Sequence, residues 1–287
     1  MSRSLWHPAF FQALQAELIE FLPVLEFVKE YKLTKGSQRI DVVVKKQSDA
    51  VITKNIGRIF RTHNIFEYKS PKDILTRDDF YKTLGYCFSY ADKEHVHHSD
   101  ITMSLAACKY PAALFDFLRD YPVNKFDEGI YYVGGWTVPI QIIVSEELQG
   151  EDYILLTALS SSLAKSKIER TFSVITERRR QVGLEAYFEV FVNSNFQTIE
   201  EIENMRSLYQ QAVKKWLAEG KAEGIAEGKA EGKVEAILDV LQSRFKTVPK
   251  SVQGSVRSYT DLTALRSLLI SATTCQTIKE FKEHLAR

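Results

Sequence analysis

At 287 residues the chain is long enough to bury a sizeable core, as one large domain or two smaller ones. Hydrophobic residues make up 45% and charged residues 26%, and the three cysteines, Cys87, Cys108 and Cys275, are too few and too scattered for a disulfide framework or a zinc site. A net charge of +1 excludes a basic footprint over the whole surface, although residues 29–82 alone carry a net of +6, which allows a local positive patch.

The opening stretch MSRSLWHPAFFQ lacks the apolar core of a signal peptide, and no apolar run reaches the ~18 residues of a membrane span. Both observations predict a cytoplasmic protein without a membrane partner. From about Ser4 to Phe21 the spacing is helical. Phe10, Leu14 and Phe21 share a face, and Glu17 falls inside that apolar stripe. Two strands follow, LEFVKEYKL and RIDVVVK, joined by the turn TKGSQ. The second puts Ile40, Val42 and Val44 on one side and Arg39, Asp41 and Val43 on the other.

An insert comes next, in which Lys54, Arg58 and Arg61 recur at helical spacing opposite Ile56, Ile59 and Phe60. Gly57 weakens such a helix. Residues 64–69 make a third strand that stops at Ser70-Pro71. The period then changes: Thr76 followed by Asp79 has the form of a capping box, and Phe80, Leu84 and Phe88 mark a buried helix. A strand ITMSLAAC, a short helix after Tyr110-Pro111 and the hairpin GIYYVGGWTVPIQIIV, hinged on Gly134-Gly135, complete a mixed α/β region over residues 1–150.

Residues 151–217 read as a helical extension of this core with a break around 193–198. The repeat AEGKAEGIAEGKAEGK (218–233) reads as a spacer or marginal helix, since its four glycines cost ~4 kcal/mol relative to alanine. Residues 234–287 read as a small helical module through which the chain could form a homo-oligomer. HVHH (95–98), set among charged residues, reads as a solvated loop. Arg178-Arg179-Arg180 reads as a helix-end charge cluster, and His7 as a capping or surface residue.

The chemistry concentrates in HNIFEYKSP (63–71), where Glu67 and Lys69 share one face of a strand. If this strand pairs with the one carrying Asp41, two carboxylates and an ammonium converge, and each is costly to bury alone. Two carboxylates suit a hard divalent cation, Mg²⁺ or Mn²⁺, with the Tyr68 backbone carbonyl as a further ligand and Glu17 as a third or supporting carboxylate. Lys69 would hold or deprotonate a water, which is the minimum equipment for phosphodiester hydrolysis. The plainer alternative is a solvated Glu67–Lys69 pair of little energetic value.

Asp41 in RIDVVV and Glu67-Tyr68-Lys69 in NIFEYKSP, set in an α-β-β-β-α-β order, resemble the PD-(D/E)XK nuclease superfamily. KNIGRIFRTHNIFEYKSP, DDFYKTLGY and the Glu-Gly repeat ahead of a helical tail are similar to its bacterial recombination-promoting nuclease or transposase-like branch. The resemblance covers roughly residues 4–108 and 216–287. It implies a restriction-endonuclease-like core and a Mg²⁺-dependent DNA endonuclease of low sequence specificity, with a role in DNA recombination or in mobile-element or defence biology. Asp41 and Glu67 would bind the metal, Lys69 would act on the attacking water and Glu17 would be the first-helix acid. Two departures stand out: no proline precedes Asp41, and 26 positions separate Asp41 from Glu67. Lys54, Arg58 and Arg61 form a basic stripe that would hold the DNA backbone. The rival readings are a catalytically silent module that binds DNA or a protein, and a plain α/β scaffold.

Overall fold

The computed structural model describes residues 5–34, 38–47, 49–202, 232–259 and 261–285, so the Glu-Gly repeat lies outside the described residues up to residue 231. The chain divides into two compact units, 1–205 and 206–287. In the first, α1 (Trp6–Glu17) leads into β1 (Leu25–Lys32), β2 (Arg39–Lys46) and β3 (His63–Lys69), followed by α2 (Arg77–Glu94) and β4 (Ile101–Ala107), the order expected above. Helix α3 (Ala112–Phe117) and strands β5 (Val123–Asp127), β6 (Ile130–Val133) and β7 (Ile140–Val144) complete the sheet.

Seven strands lie in the order β1-β2-β3-β4-β7-β6-β5. The two outer parts, β1-β2-β3 and β7-β6-β5, are antiparallel, whereas β3, β4 and β7 run parallel. Every residue of β4 and β7 is buried, as parallel strands covered on both faces require. On one face Val43, Ile65 and Met103 pack against Phe80, Cys87 and Tyr90 of α2. On the other, Phe10 of α1 stacks on Tyr68 at 4.3 Å, and Phe60 of the insert meets Phe66 at 5.7 Å. Strand β5 was not expected; as a largely exposed edge strand it has little apolar alternation to announce it.

The helical extension comprises α4 (Ile154–Thr157), α5 (Lys165–Arg178) and α6 (Glu185–Glu200), with α4 and α6 both packed on α1. The expected break near 193–198 is a kink at Asn195, whose amide donates to the Phe191 and Ser160 carbonyls and accepts from Leu163 N–H. A mid-helix asparagine that bonds main chain in this way competes with the helix itself.

Two expectations need correction. Phe80, Leu84 and Phe88 are not the buried stripe of α2: Phe80, Thr83, Cys87 and Tyr90 are, and Phe88 is 45% exposed. Small Thr83 and Cys87 let the helix sit close to the sheet, and Tyr90 gains an interior partner, its hydroxyl lying 2.9 Å from His63 Nδ1. The insert is also not a helix; it holds only a short 3₁₀ turn, Asn55–Gly57. A Cβ on Gly57 would stand 2.5 Å from Ile52 Cγ2, so the segment is pressed flat against the core rather than wound into an amphipathic helix. The HVHH segment is a loop, as expected, with His95 in the left-handed cap of α2 and His97 Nδ1 paired to Ser99 Oγ.

The second unit has its own core. Helix α7, described over 232–245, is followed by α8 (Lys250–Arg257), α9 (Leu262–Thr274) and α10 (Ile278–Leu285). They enclose Ile237, Leu241, Val252, Val256, Leu265 and Phe281. Among the described residues no helix is long and apolar enough to cross a membrane.

Candidate metal centre at the end of the third strand

Glu67 and Lys69 leave β3 on the side of α2, where they meet its first two turns. Lys69 Nζ lies 3.2 Å from Glu67 Oε1 and 2.7 Å from Asp79 Oδ1. Lys82 Nζ lies 2.5 Å from the same Glu67 oxygen and 3.9 Å from Asp79 Oδ1. Two acids and two bases thus alternate around a closed ring. The expected capping box builds half of it. Asp79 accepts from the N–H and hydroxyl of Thr76 through Oδ2, which fixes the carboxylate and leaves Oδ1 for Lys69. Lys82 follows Asp79 by three residues and so rises on the same helix face.

Asp41 reaches this ring from β2. The pairing of β2 with β3 runs to Val42 opposite Phe66, and the next N–H that would continue it, that of Tyr68, donates to Asp41 Oδ2 at 2.9 Å. Strand alternation slips at this level. Glu30, across from Asp41, has φ 51°, and Ile40 and Val43 both pack into the core on the α2 side. Such a local kink re-aims a side chain, and here it leaves Asp41 within reach of both faces. His7 Nε2 of α1 stands 3.5 Å from Asp41 Oδ2. Burial and the adjacent negative charge of Glu67 push the Asp41 carboxyl up from 3.8 to about 6, against the opposing pull of His7, the Tyr68 N–H and Lys82. The charge of Glu67 is thus felt at Asp41, as expected of carboxylates on neighbouring strands.

Other expected site residues lie elsewhere. Glu17 is ten residues along α1 from His7, ~15 Å at the helical rise, and is fully engaged there. It accepts from Leu155 N–H at 2.7 Å, Leu156 N–H at 3.3 Å and Arg178 Nη1 at 2.9 Å, with Lys54 Nζ at 3.6 Å. Burial raises its pKa, and the two cations and the Leu155 N–H oppose that rise. Lys54 is therefore turned inward to Glu17, Arg58 is exposed, and Arg61 donates to the Ser99 carbonyl near the start of β3, ~20 Å from Lys69 at the strand rise. The three do not form one basic stripe beside the carboxylates. Arg178 closes α5 as a helix-end charge and is spent on Glu17.

Three residues join the site that sequence reasoning did not place there: His7, Asp79 and Lys82. Asp79 and Lys82 carry a signal in hindsight, because a capping box three residues before a lysine puts both at the helix start that follows β3. His7 carries none, since only the packing of α1 on the sheet brings it to Asp41.

Among the described residues no group of three or more His, Cys, Asp or Glu side chains forms a protein cage for a metal. Two carboxylates alone would suit only a hard cation that keeps several waters and takes its remaining oxygens from a substrate. No family model, curated protein or solved structure compared with the chain matches it significantly.

Proposed function

We propose that the end of β3 is the active site of a divalent-metal-dependent DNA endonuclease of the PD-(D/E)XK kind. The observation that supports this reading is that Asp41 feels the charge of Glu67, which pairs with Lys69 at the end of β3. Asp41, Glu67 and the Tyr68 carbonyl would hold Mg²⁺ or Mn²⁺, which when bound polarises a phosphoryl oxygen and stabilises the leaving oxygen. Burial draws the Lys69 pKa down, but its bond to Asp79 and the charge of Glu67 outweigh burial and leave it raised. Lys69 is thus an ammonium at neutral pH. It donates to a water or a phosphate oxygen and orients it, rather than taking its proton. His7 holds Asp41, and Asp79 holds Lys69. Side chains that grip phosphates carry no base code, which supports low sequence specificity; a role in recombination or mobile-element biology in the cytoplasm rests on the sequence resemblance alone.

The 2.5 Å contact of Lys82 with Glu67 favours a second reading, a silent nuclease-fold module, because one of the two Glu67 oxygens already serves two ammonium groups. Incubation with supercoiled plasmid and Mg²⁺ or Mn²⁺ separates the two. The nuclease nicks the plasmid and loses that activity in Asp41→Asn and Lys69→Met. Salt-sensitive binding without nicking selects the silent module, and nicking that survives both substitutions sinks the assignment of roles.

A further inference from the structure

The solvent side of α2 carries a row of exposed residues of alternating character. Arg77, Tyr81, Gly85, Phe88 and Asp92 are all exposed, and at helical spacing they fall within about 80° of the circumference. Tyr81 is 48% and Phe88 45% exposed; one edge of Tyr81 meets the Phe117 and Trp136 rings of its own unit, at 5.6 and 6.4 Å, and the rest of its surface faces outward beside Phe88. Gly85 sits near the middle of this 18-residue helix, where glycine is unfavourable. A Cβ there would meet nothing within 4 Å, so no contact among the described residues calls for a glycine. What a bare backbone at the centre of an exposed face permits is the close approach of another helix.

We propose that this row is a two-fold interface at which α2 packs antiparallel against α2 of a second copy, crossing at Gly85. The occupant follows from the order of the side chains: cation, aromatic, glycine, aromatic, anion. With the two-fold axis between Leu84 and Gly85, Arg77 of one copy stands level with Asp92 of the other, and Tyr81 level with Phe88. Each contact occurs twice. A parallel pairing would oppose like charges, so the charge pattern selects the antiparallel, self-complementary arrangement that a two-fold dimer needs. Aromatic side chains at the centre with charges at the rim is also the usual anatomy of a protein interface. This inference is independent of the nuclease reading.

Sedimentation equilibrium of the full chain tests it. The wild type shows a concentration-dependent monomer–dimer equilibrium. Arg77→Asp and Asp92→Arg each place like charges together twice per dimer and raise the dissociation constant at least about tenfold, and the double variant returns to near the wild-type value. Both reversals suit the helix, an acid in its first turn and a base in its last, so circular dichroism stays unchanged and unfolding is not the cause. Gly85→Leu raises helix propensity and still weakens the dimer. A chain that is monomeric at every concentration overturns the proposal, as does a double variant no better than either single one. A dimer indifferent to all three changes also overturns it and moves the contact to another surface, such as the helical unit of residues 206–287.

Discussion

Asp41 is held at a cost that a purely structural aspartate would not carry. Its pKa in the folded protein, about 6, lies above the 3.8 of an unperturbed aspartate. Between those values the folded state binds more protons than the unfolded chain, so this contribution to stability is fully present below about pH 4 and is lost as pH rises through about 6. The loss is ~3 kcal/mol at most, and the partial exposure of the side chain reduces it. Asp41→Asn removes the ionisation, so thermal melts should show a gain of several degrees at pH 7 that vanishes near pH 3.5. A Tm at pH 7 equal to or below that of the wild type would falsify this electrostatic account of the site. Lys69→Met has the opposite character, because it leaves Asp79 and Glu67 with Lys82 as their one shared cation and lowers the Tm at pH 7. At this scale the sequence was legible where chemistry is local. Glu67 and Lys69 follow from a period of two and a strand stop, whereas His7 depends on the packing of α1, which no spacing within α1 encodes.

Elements divide the charged residues between chemistry and architecture. Glu17 looked like a candidate acid because it interrupts an apolar stripe, and the structure uses that interruption to tie α1 to the first turn of α4 and to Lys54 and Arg178. Removing it strands two cations at a buried site, so Glu17→Ala costs about 3–5 kcal/mol in urea unfolding. A cost below about 1 kcal/mol would show that the network is slack. The insert teaches the same lesson from sterics. Gly57→Ala forces a methyl into Ile52 and lowers stability by about 1–3 kcal/mol, with the m-value unchanged. The opposite result, a stabilised protein, would mean the segment gives way easily. A helical period in Lys54, Arg58 and Arg61 could not reveal this, because their spacing fits a helix while the buried Ile56 and Gly57 are held flat by the neighbouring core. The capping box at Thr76 was legible from four residues, since both of its bonds are local.

Across the whole chain, the change from strand to helix signal after residue 150 and the α-β-β-β-α-β order both emerged from periodicity together with local turn, proline and capping signals. The join of the two antiparallel parts through parallel β3, β4 and β7 did not, because strand order depends on contacts far apart in sequence. Separate cores in residues 1–205 and 206–287 predict that the first unit, produced alone, unfolds in one cooperative transition and binds divalent cation as the full chain does. A fragment with no cooperative melt would place part of its stability in the remaining residues.

The central claim is that Asp41 and Glu67 together hold a divalent cation. Calorimetric titration of Mn²⁺ into the full chain at pH 7.5 tests it most directly. The account predicts saturable binding that weakens as pH falls below about 6, is lost in Asp41→Asn and in Glu67→Gln, and persists in Glu17→Gln. Binding unchanged by the first two substitutions, or no binding by the wild type, would contradict it.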